Sequence, residues 1–255
     1  MSISSINKHI DTFSAIGLDE IDNLSFQKRL DTKYVFNVEK LELFLGFLDK
    51  KHKVLQIKNI RIQEYETIYY DTPELKMYCM HHNRVRSRFK VRSRKYINSN
   101  SFFLEVKQKN NKGITSKKRL AIDALRLRND ELRHAEFVAQ KTPFKLEGLI
   151  PVIKNRFKRL TLVREDIPMR ITIDWDLRFT QAGSDNEKSM NNICIVEVKK
   201  ENGTKNPEFD NAIKSCKIYP MGFSKYCFGV LLLNSTVKQN YFKPRLQSLQ
   251  KLKLI

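Results

Sequence analysis

Along much of its length the chain alternates apolar and polar residues, and in a few places it shows helical spacing. Val85, Phe89 and Val91 alternate with Arg84, Arg86, Arg88, Lys90, Arg92 and Arg94, and Leu104 and Val106 alternate with Glu105, Lys107 and Lys109. Period two sends successive side chains to opposite faces of a sheet, so each run predicts a strand with one apolar and one charged face. The same reading places strands at 28–36, 65–70, 84–96, 101–109, 115–123, 158–163, 169–175 and 193–199. So many strands predict an antiparallel sheet large enough to curl or to close into a barrel. Helical spacing occurs at 37–50, where Asn37 can cap and Leu41, Phe44, Leu45 and Leu48 share one face. A second helix is predicted at 129–140, opened by Asn129 with Asp130 and Glu131 in its first turn, and a third begins at Asn206-Pro207 with Phe209, Ile213 and Cys216 inward. The fold class expected is α+β, an antiparallel sheet that curls or closes, with helices packed outside. No fixed repeat and no Pro-rich or Gly/Ser-rich linker divides the sequence, so a single domain is expected over 1–255, with an N-terminal helix and a basic C-terminal tail at its periphery.

Composition sharpens this picture. The chain has 255 residues, 41% of them hydrophobic, and 48 Lys+Arg against 28 Asp+Glu, a formal net charge of +20. That hydrophobic fraction suits a globular core and excludes a disordered polycation, so an ordered surface must carry the charge. Anionic partners follow, such as nucleic acid, nucleotides, phosphate polymers or acidic lipid. With only eight glycines and neither G-x-x-x-x-G-K-[ST] nor G-x-G-x-x-G, bound phosphate would have to meet Lys and Arg side chains. The four cysteines, Cys79, Cys194, Cys216 and Cys227, are widely spaced and form no zinc pattern, which suits free thiols in a reducing compartment. The apolar run Cys227–Leu233 is too short to span a bilayer, and Met1–Ser5 does not begin a signal peptide, so a cytoplasmic protein is expected. At the other end, Leu246, Leu249 and Leu252 among Lys243, Arg245, Lys251 and Lys253 could form a short amphipathic helix peripheral to the inner face of a membrane.

The charge is concentrated. Between Arg84 and Arg119 there are thirteen Lys/Arg and one acid, Glu105. Arg92 and Arg94, then Lys107 and Lys109, then Lys117 and Arg119 fall on like-facing positions of three neighbouring strands, so one sheet face is basic. Like charges opposite one another on adjacent strands repel, and a face with few counter-acids favours a bound anion. Similar rows recur at Arg29, Asp31 and Lys33, at Arg170, Thr172 and Asp174, and at Glu197 and Lys199. If the sheet closes, these charges line its interior. A nucleic-acid binder would also show a basic face with Phe89, Tyr96, Phe102 and Phe103 for stacking, but no nucleic-acid motif accompanies them.

The order of motifs resembles the VTC (vacuolar transporter chaperone) domain, the polyphosphate polymerase branch of the CYTH-like triphosphate tunnel metalloenzymes. The resemblance runs from about residue 10 to about residue 235. It rests on Arg29-Leu30-Asp31-Thr32-Lys33-Tyr34, Tyr69-Tyr70-Asp71-Thr72-Pro73, Arg92-Ser93-Arg94-Lys95-Tyr96 and Phe103-Leu104-Glu105-Val106-Lys107-Gln108-Lys109. Ser116-Lys117-Lys118-Arg119, Phe157-Lys158-Arg159, Arg170-Ile171-Thr172-Ile173-Asp174, Val196-Glu197-Val198-Lys199 and Phe223-Ser224-Lys225-Tyr226 complete it. It implies an antiparallel β-barrel of about eight strands whose bore is a basic triphosphate tunnel, in which the terminal phosphate of ATP passes to a polyphosphate or pyrophosphate chain, and a divalent metal, manganese or magnesium. By position Lys33, Arg92, Arg94, Lys107, Lys117, Arg159 and Lys225 are similar to the family's catalytic phosphate-binding set, with Arg29, Lys109, Arg119, Lys199 and Tyr70 as further substrate contacts and Glu197 as the metal-binding acid. The chain departs from the family at Gly222, where a second basic residue is usual, and at Phe157, where tyrosine is usual. The resemblance leaves inorganic triphosphate hydrolysis and non-catalytic polyphosphate binding as alternatives, and leaves any coupling to translocation to a separate membrane partner.

Overall fold

The computed structural model describes residues 3–22, 29–48, 51–128 and 131–254. In chain order the elements are α1 (Ile3–Thr12), β1 (Ser14–Ile16), α2 (Leu18–Asp22), β2 (Arg29–Asn37), α3 (Leu41–Gly46), β3 (Lys53–Leu55), β4 (Ile62–Asp71), α4 (Lys76–His82), β5 (Arg88–Tyr96), β6 (Ser101–Lys109), β7 (Thr115–Ile122), α5 (Leu132–Lys141), β8 (Ile150–Arg164), β9 (Met169–Gln181), β10 (Glu187–Met190), β11 (Ile193–Glu201), α6 (Pro207–Ser215), α7 (Lys225–Leu233) and α8 (Lys243–Lys251). The eight long strands form one antiparallel path, β2-β11-β9-β8-β4-β5-β6-β7, while β1, β3 and β10 add short pairings at its margins. Each predicted strand is present. The sheet curls without closing, because β2 and β7 are the ends of the path and not a bonded pair.

Most differences from the expected boundaries have local causes. β5 starts at Arg88 and not at 84, because Arg84 turns with φ 58° behind α4. β8 begins at Ile150, well before 158, and its alternation is broken by a register shift between Arg156 and Lys158. The cap Asn37 accepts from the Glu39 amide and Asn206 accepts from the Phe209 amide, as their positions predict. The predicted opening of α5 at Asn129 and Asp130 lies outside the described residues.

Three apolar layers hold the sheet. Outside, α1, α3 and α6 place Ile10, Phe44 and Phe209 against Leu162, Ile171 and Val196, and a second outer layer sets Met77 of α4 and Val138 of α5 against Val91 and Val106. The third is inside. Tyr226, Cys227, Phe228, Gly229 and Val230 of α7 are all buried, against Tyr69, Ile153, Phe157, Phe179 and Ile195. At Gly229 an added Cβ would stand 2.5 Å from Ile153 Cδ1 and 2.6 Å from Phe179 Cδ1, so glycine lets α7 approach the concave face of the sheet. The helices therefore do not all lie outside. Asp71 fixes this arrangement: it accepts from the Thr72, Met77 and Tyr78 amides at the start of α4 and from the Tyr226 hydroxyl of α7. α8 spends its apolar side on the same layer, with Leu249 fully buried and Leu246 packed beside it.

Candidate phosphate-binding cavity

The concave face encloses a cavity of about 660 Å³ whose walls come from β2, β4–β9, β11 and the start of α7. Among the described residues its lining holds ten lysines and arginines and two carboxylates, Asp174 and Glu197. Register explains the order within it. Arg92 of β5 lies opposite Glu105 of β6, Lys33 of β2 opposite Glu197 of β11, and Arg159 of β8 opposite Asp174 of β9.

Each of these carboxylates serves two cations. Glu105, 1% exposed, accepts from Arg92 Nε and Nη2, both at 2.7 Å, and pairs with Lys117. Asp174 takes Arg159 in a two-pronged contact of 2.6 and 2.8 Å and also pairs with Lys225. Glu197 Oε1 accepts from Lys33 at 2.6 Å and from Lys199 at 3.1 Å, while Lys199 also reaches Asp31 Oδ2 at 2.7 Å. Burial opposes ionisation of all three acids, but the adjoining cations outweigh it and hold each well below the usual carboxylate range.

One row has no acid. Lys90, Lys107 and Lys117 stand directly opposite one another across β5, β6 and β7. Lys90 donates to Ser224 Oγ at 2.9 Å, Lys117 turns to Glu105, and Lys107 has no ion-pair partner among the described residues. Lys107 is open to solvent in the cavity yet walled by protein on most sides. That burial, followed by the charge of Lys90 and then of Lys33 and Arg92, pushes its ammonium down to about 7 against a smaller pull from Glu197. Burial likewise brings Lys117 down to about 8, in spite of Glu105. Lys33 and Lys225 are lowered mainly by burial as well. Arg94 donates to Thr67 Oγ1 at 3.1 Å and lies over the rings of Tyr65 and Phe157, which hold its guanidinium plane without a carboxylate.

The structure thus brings Lys33, Arg92, Arg94, Lys107, Lys117, Arg159, Lys225, Lys199 and Glu197 into one cavity. Lys109 lines the neighbouring cavity, and Arg119 sits over the ring of Phe103 outside the main lining. Tyr70 faces the opposite side of the sheet, where its hydroxyl accepts from the Leu127 amide at 2.9 Å; its neighbour Tyr69 is the tyrosine that lines the cavity. The backbone of Arg29 begins β2, but its side chain lies outside the described residues. Asp174 was visible in sequence only as one member of an alternating row, and its role as the anchor of Arg159 and Lys225 depends on cross-strand register and on α7. A metal ion would find one cavity carboxylate free of a two-pronged arginine, Glu197, and the described residues hold no cluster of three or more His, Cys, Asp or Glu. Glu197 is the carboxylate that would hold a divalent ion, through Oε2, since Lys33 and Lys199 both bond to Oε1.

The family model of the VTC domain matches residues 28–234, so the chain belongs to the VTC domain family. No curated protein matches it significantly. Among solved structures it is similar to a provisionally assigned adenylate cyclase from Vibrio parahaemolyticus, with 11% identity over 78% of this chain and 96% of that one and a TM-score of 0.44. A protein of the same provisional assignment from Bacillus halodurans shows 11% identity over 77% and 94%, with a TM-score of 0.47. HpAC1 from Hippeastrum, described as a provisional adenylyl cyclase with dominant triphosphatase activity, shows 13% identity over 78% and 93%, with a TM-score of 0.47.

Proposed function

We propose that the protein is an ATP-dependent polyphosphate polymerase that moves the terminal phosphate of ATP onto a condensed phosphate chain held in the basic cavity. The observation that carries this reading is Lys107, directly opposite Lys90 and Lys117 and without an ion pair among the described residues, in a lining of ten cations and two carboxylates whose excess charge an extended polyanion neutralises. In the reaction a terminal oxygen of the acceptor chain attacks the γ-phosphorus of ATP in line. The bond from the γ-phosphorus to the β,γ-bridging oxygen breaks, its electron pair stays on ADP, and the chain grows by one phosphoanhydride.

Such a transfer needs positioning and charge stabilisation more than covalent chemistry. Arg92 and Arg159, fixed by Glu105 and Asp174, offer oriented donors to phosphoryl oxygens, and Arg94, held by aromatic rings, offers another. Lys33, Lys107, Lys117 and Lys225 supply mobile point charges. A divalent ion at Glu197, manganese or magnesium, would neutralise neighbouring phosphate oxygens when bound. The acceptor's terminal phosphate is already an anion and needs no base. Water would need one, and the carboxylates Glu105, Asp174 and Glu197 are held ionised by two cations each, which makes them poor proton acceptors. Lys107, whose ammonium is brought down to about 7, is the base that hydrolysis would have to use, so the carboxylates by themselves do not favour transfer over hydrolysis.

The test is to incubate the purified protein with ATP, manganese and a trace of pyrophosphate, and to measure polymer, ADP and orthophosphate. Polymer with matching ADP is expected. Orthophosphate alone, above all from inorganic triphosphate, would make the protein a hydrolase, and neither product with retained polyphosphate binding would make it a binding module.

A further inference from the structure

The main cavity adjoins a second one of about 260 Å³, with which it shares Lys90, Lys107, Thr115, Phe223 and Ser224. The second cavity adds Arg88, Lys109 and Arg245, and through His81, Arg88, Lys109 and Tyr241 it adjoins a third of about 400 Å³ that reaches Arg84 and Arg86. No acid lines either of them among the described residues, and Arg88, Lys109 and Arg245 have no ion pair there. Arg88 and Lys90 of β5 thus carry its charge row from the main cavity's lining into that of the second.

Arg245 comes from α8, beyond the segment 28–234 that matches the family. Phe242 and Leu249 are buried and anchor this helix, and Tyr241 positions the guanidinium: Arg245 Nη2 donates to its hydroxyl at 3.3 Å and lies 4.9 Å from its ring centre. The guanidinium comes to the place where residue 222 would project. A Cβ built on Gly222 would stand 3.9 Å from Arg245 Nε and 4.0 Å from Nη2, ordinary contact distances.

We infer that the second cavity binds the trailing phosphates of a condensed phosphate chain, and that Arg245 of α8 supplies a cation there, at the place residue 222 faces. The inference rests on the phosphate-chain reading of the main cavity. A chain held at both sites spans the Lys90, Lys107 and Lys117 row and then meets Arg88, Lys109 and Arg245. Tripolyphosphate, short enough for the main cavity alone, does not need the second site.

The experiment is calorimetric titration of the full chain with tripolyphosphate and with long-chain polyphosphate, in the absence of ATP, for the wild type, Arg245→Gln and the double variant Gly222→Lys, Arg245→Gln. Arg245→Gln is expected to lower the ratio of long-chain to tripolyphosphate affinity about ten-fold, the worth of one charge-assisted hydrogen bond. The double variant should restore most of it, because a lysine at 222 has room once the guanidinium is gone. An unchanged ratio in Arg245→Gln overturns the site, and a double variant as weak as the single one overturns the equivalence with residue 222. A wild type that makes no polymer but binds long chains in an Arg245-dependent way overturns the polymerase reading and leaves this site standing.

Discussion

Replacing Lys107 by arginine fixes a charge that the native side chain holds only part of the time. With Lys107 at about 7 and Lys117 at about 8, the empty cavity at pH 8 lacks about 0.9 proton at the first and about 0.5 at the second. At pH 6 the two together lack only about 0.1. A bound phosphate chain favours the charged form of both, so binding at pH 8 draws about 1.4 protons from the buffer and affinity falls as pH rises through 7 and 8. Arginine is charged throughout, so Lys107→Arg should take up about 0.9 proton fewer at pH 8 and about the same number as wild type at pH 6. Titration with tripolyphosphate in two buffers of different ionisation enthalpy measures the uptake, and the ligand's own titration cancels between the two proteins. Equal uptake by wild type and Lys107→Arg at pH 8 would refute the assignment of the lowered lysine. The same shift has a stability sign. The folded protein binds fewer protons here than the unfolded chain, so the empty protein gains stability as pH rises from about 7 towards the ordinary lysine range, and saturating phosphate should flatten that gain.

The cavity cations are not equivalent in what they do for the fold. Arg92→Ala strips buried Glu105 of one of its two partners and should cost about 3 kcal/mol, a fall in Tm on the order of 10 °C, whereas Lys107→Ala removes only repulsion and should leave the Tm unchanged or higher; equal Tm values for the two variants would refute this. Both variants should lose polymer synthesis in the coupled ATP assay. Glu197→Gln keeps an acceptor for Lys33 but loses the charge, and should abolish the dependence of activity on manganese; an unaltered manganese titration would remove Glu197 as the metal site. Gly229→Ala forces a methyl group against Ile153 and Phe179 and should destabilise by about 1–3 kcal/mol in a chemical denaturation curve, with no loss expected if α7 can draw back.

Much of the lining was legible because period two separates the two faces of a strand: Arg92, Arg94 and Lys107 could be set on one face with no knowledge of their neighbours. What alternation could not give was the pairing across strands. The Arg159–Asp174 contact depends on a hairpin register with a shift near Lys158, and the two-cation sharing of Asp174 depends on a helix that contributes Lys225. That helix, α7, escaped notice for a physical reason. It is buried around its circumference, so Tyr226 to Val230 show no polar face and no helical period. The tyrosine pair shows the reverse limit. Tyr69 and Tyr70 are adjacent and therefore point to opposite sides, and with the faces undetermined the sequence offered no ground for preferring Tyr69. The motif Tyr69-Tyr70-Asp71-Thr72-Pro73 marks the site through Tyr69, which lines it, and through Asp71, which ties α4 to the helix that carries Lys225.

The free edge of β2 is met by the segment that leads into α7: the Met221 amide donates to the Lys33 carbonyl at 2.8 Å, and Tyr34 bridges to Pro220. Across the cavity the same segment is tied to β5 by the side-chain bond from Lys90 to Ser224. At this seam the wall is a strap, not a ladder. Here the backbone contacts to β2, the side-chain bond from Lys90 and the burial of Ile218 and Phe223 hold the strap in place, so the last stretch of wall is a loop pinned by its side chains.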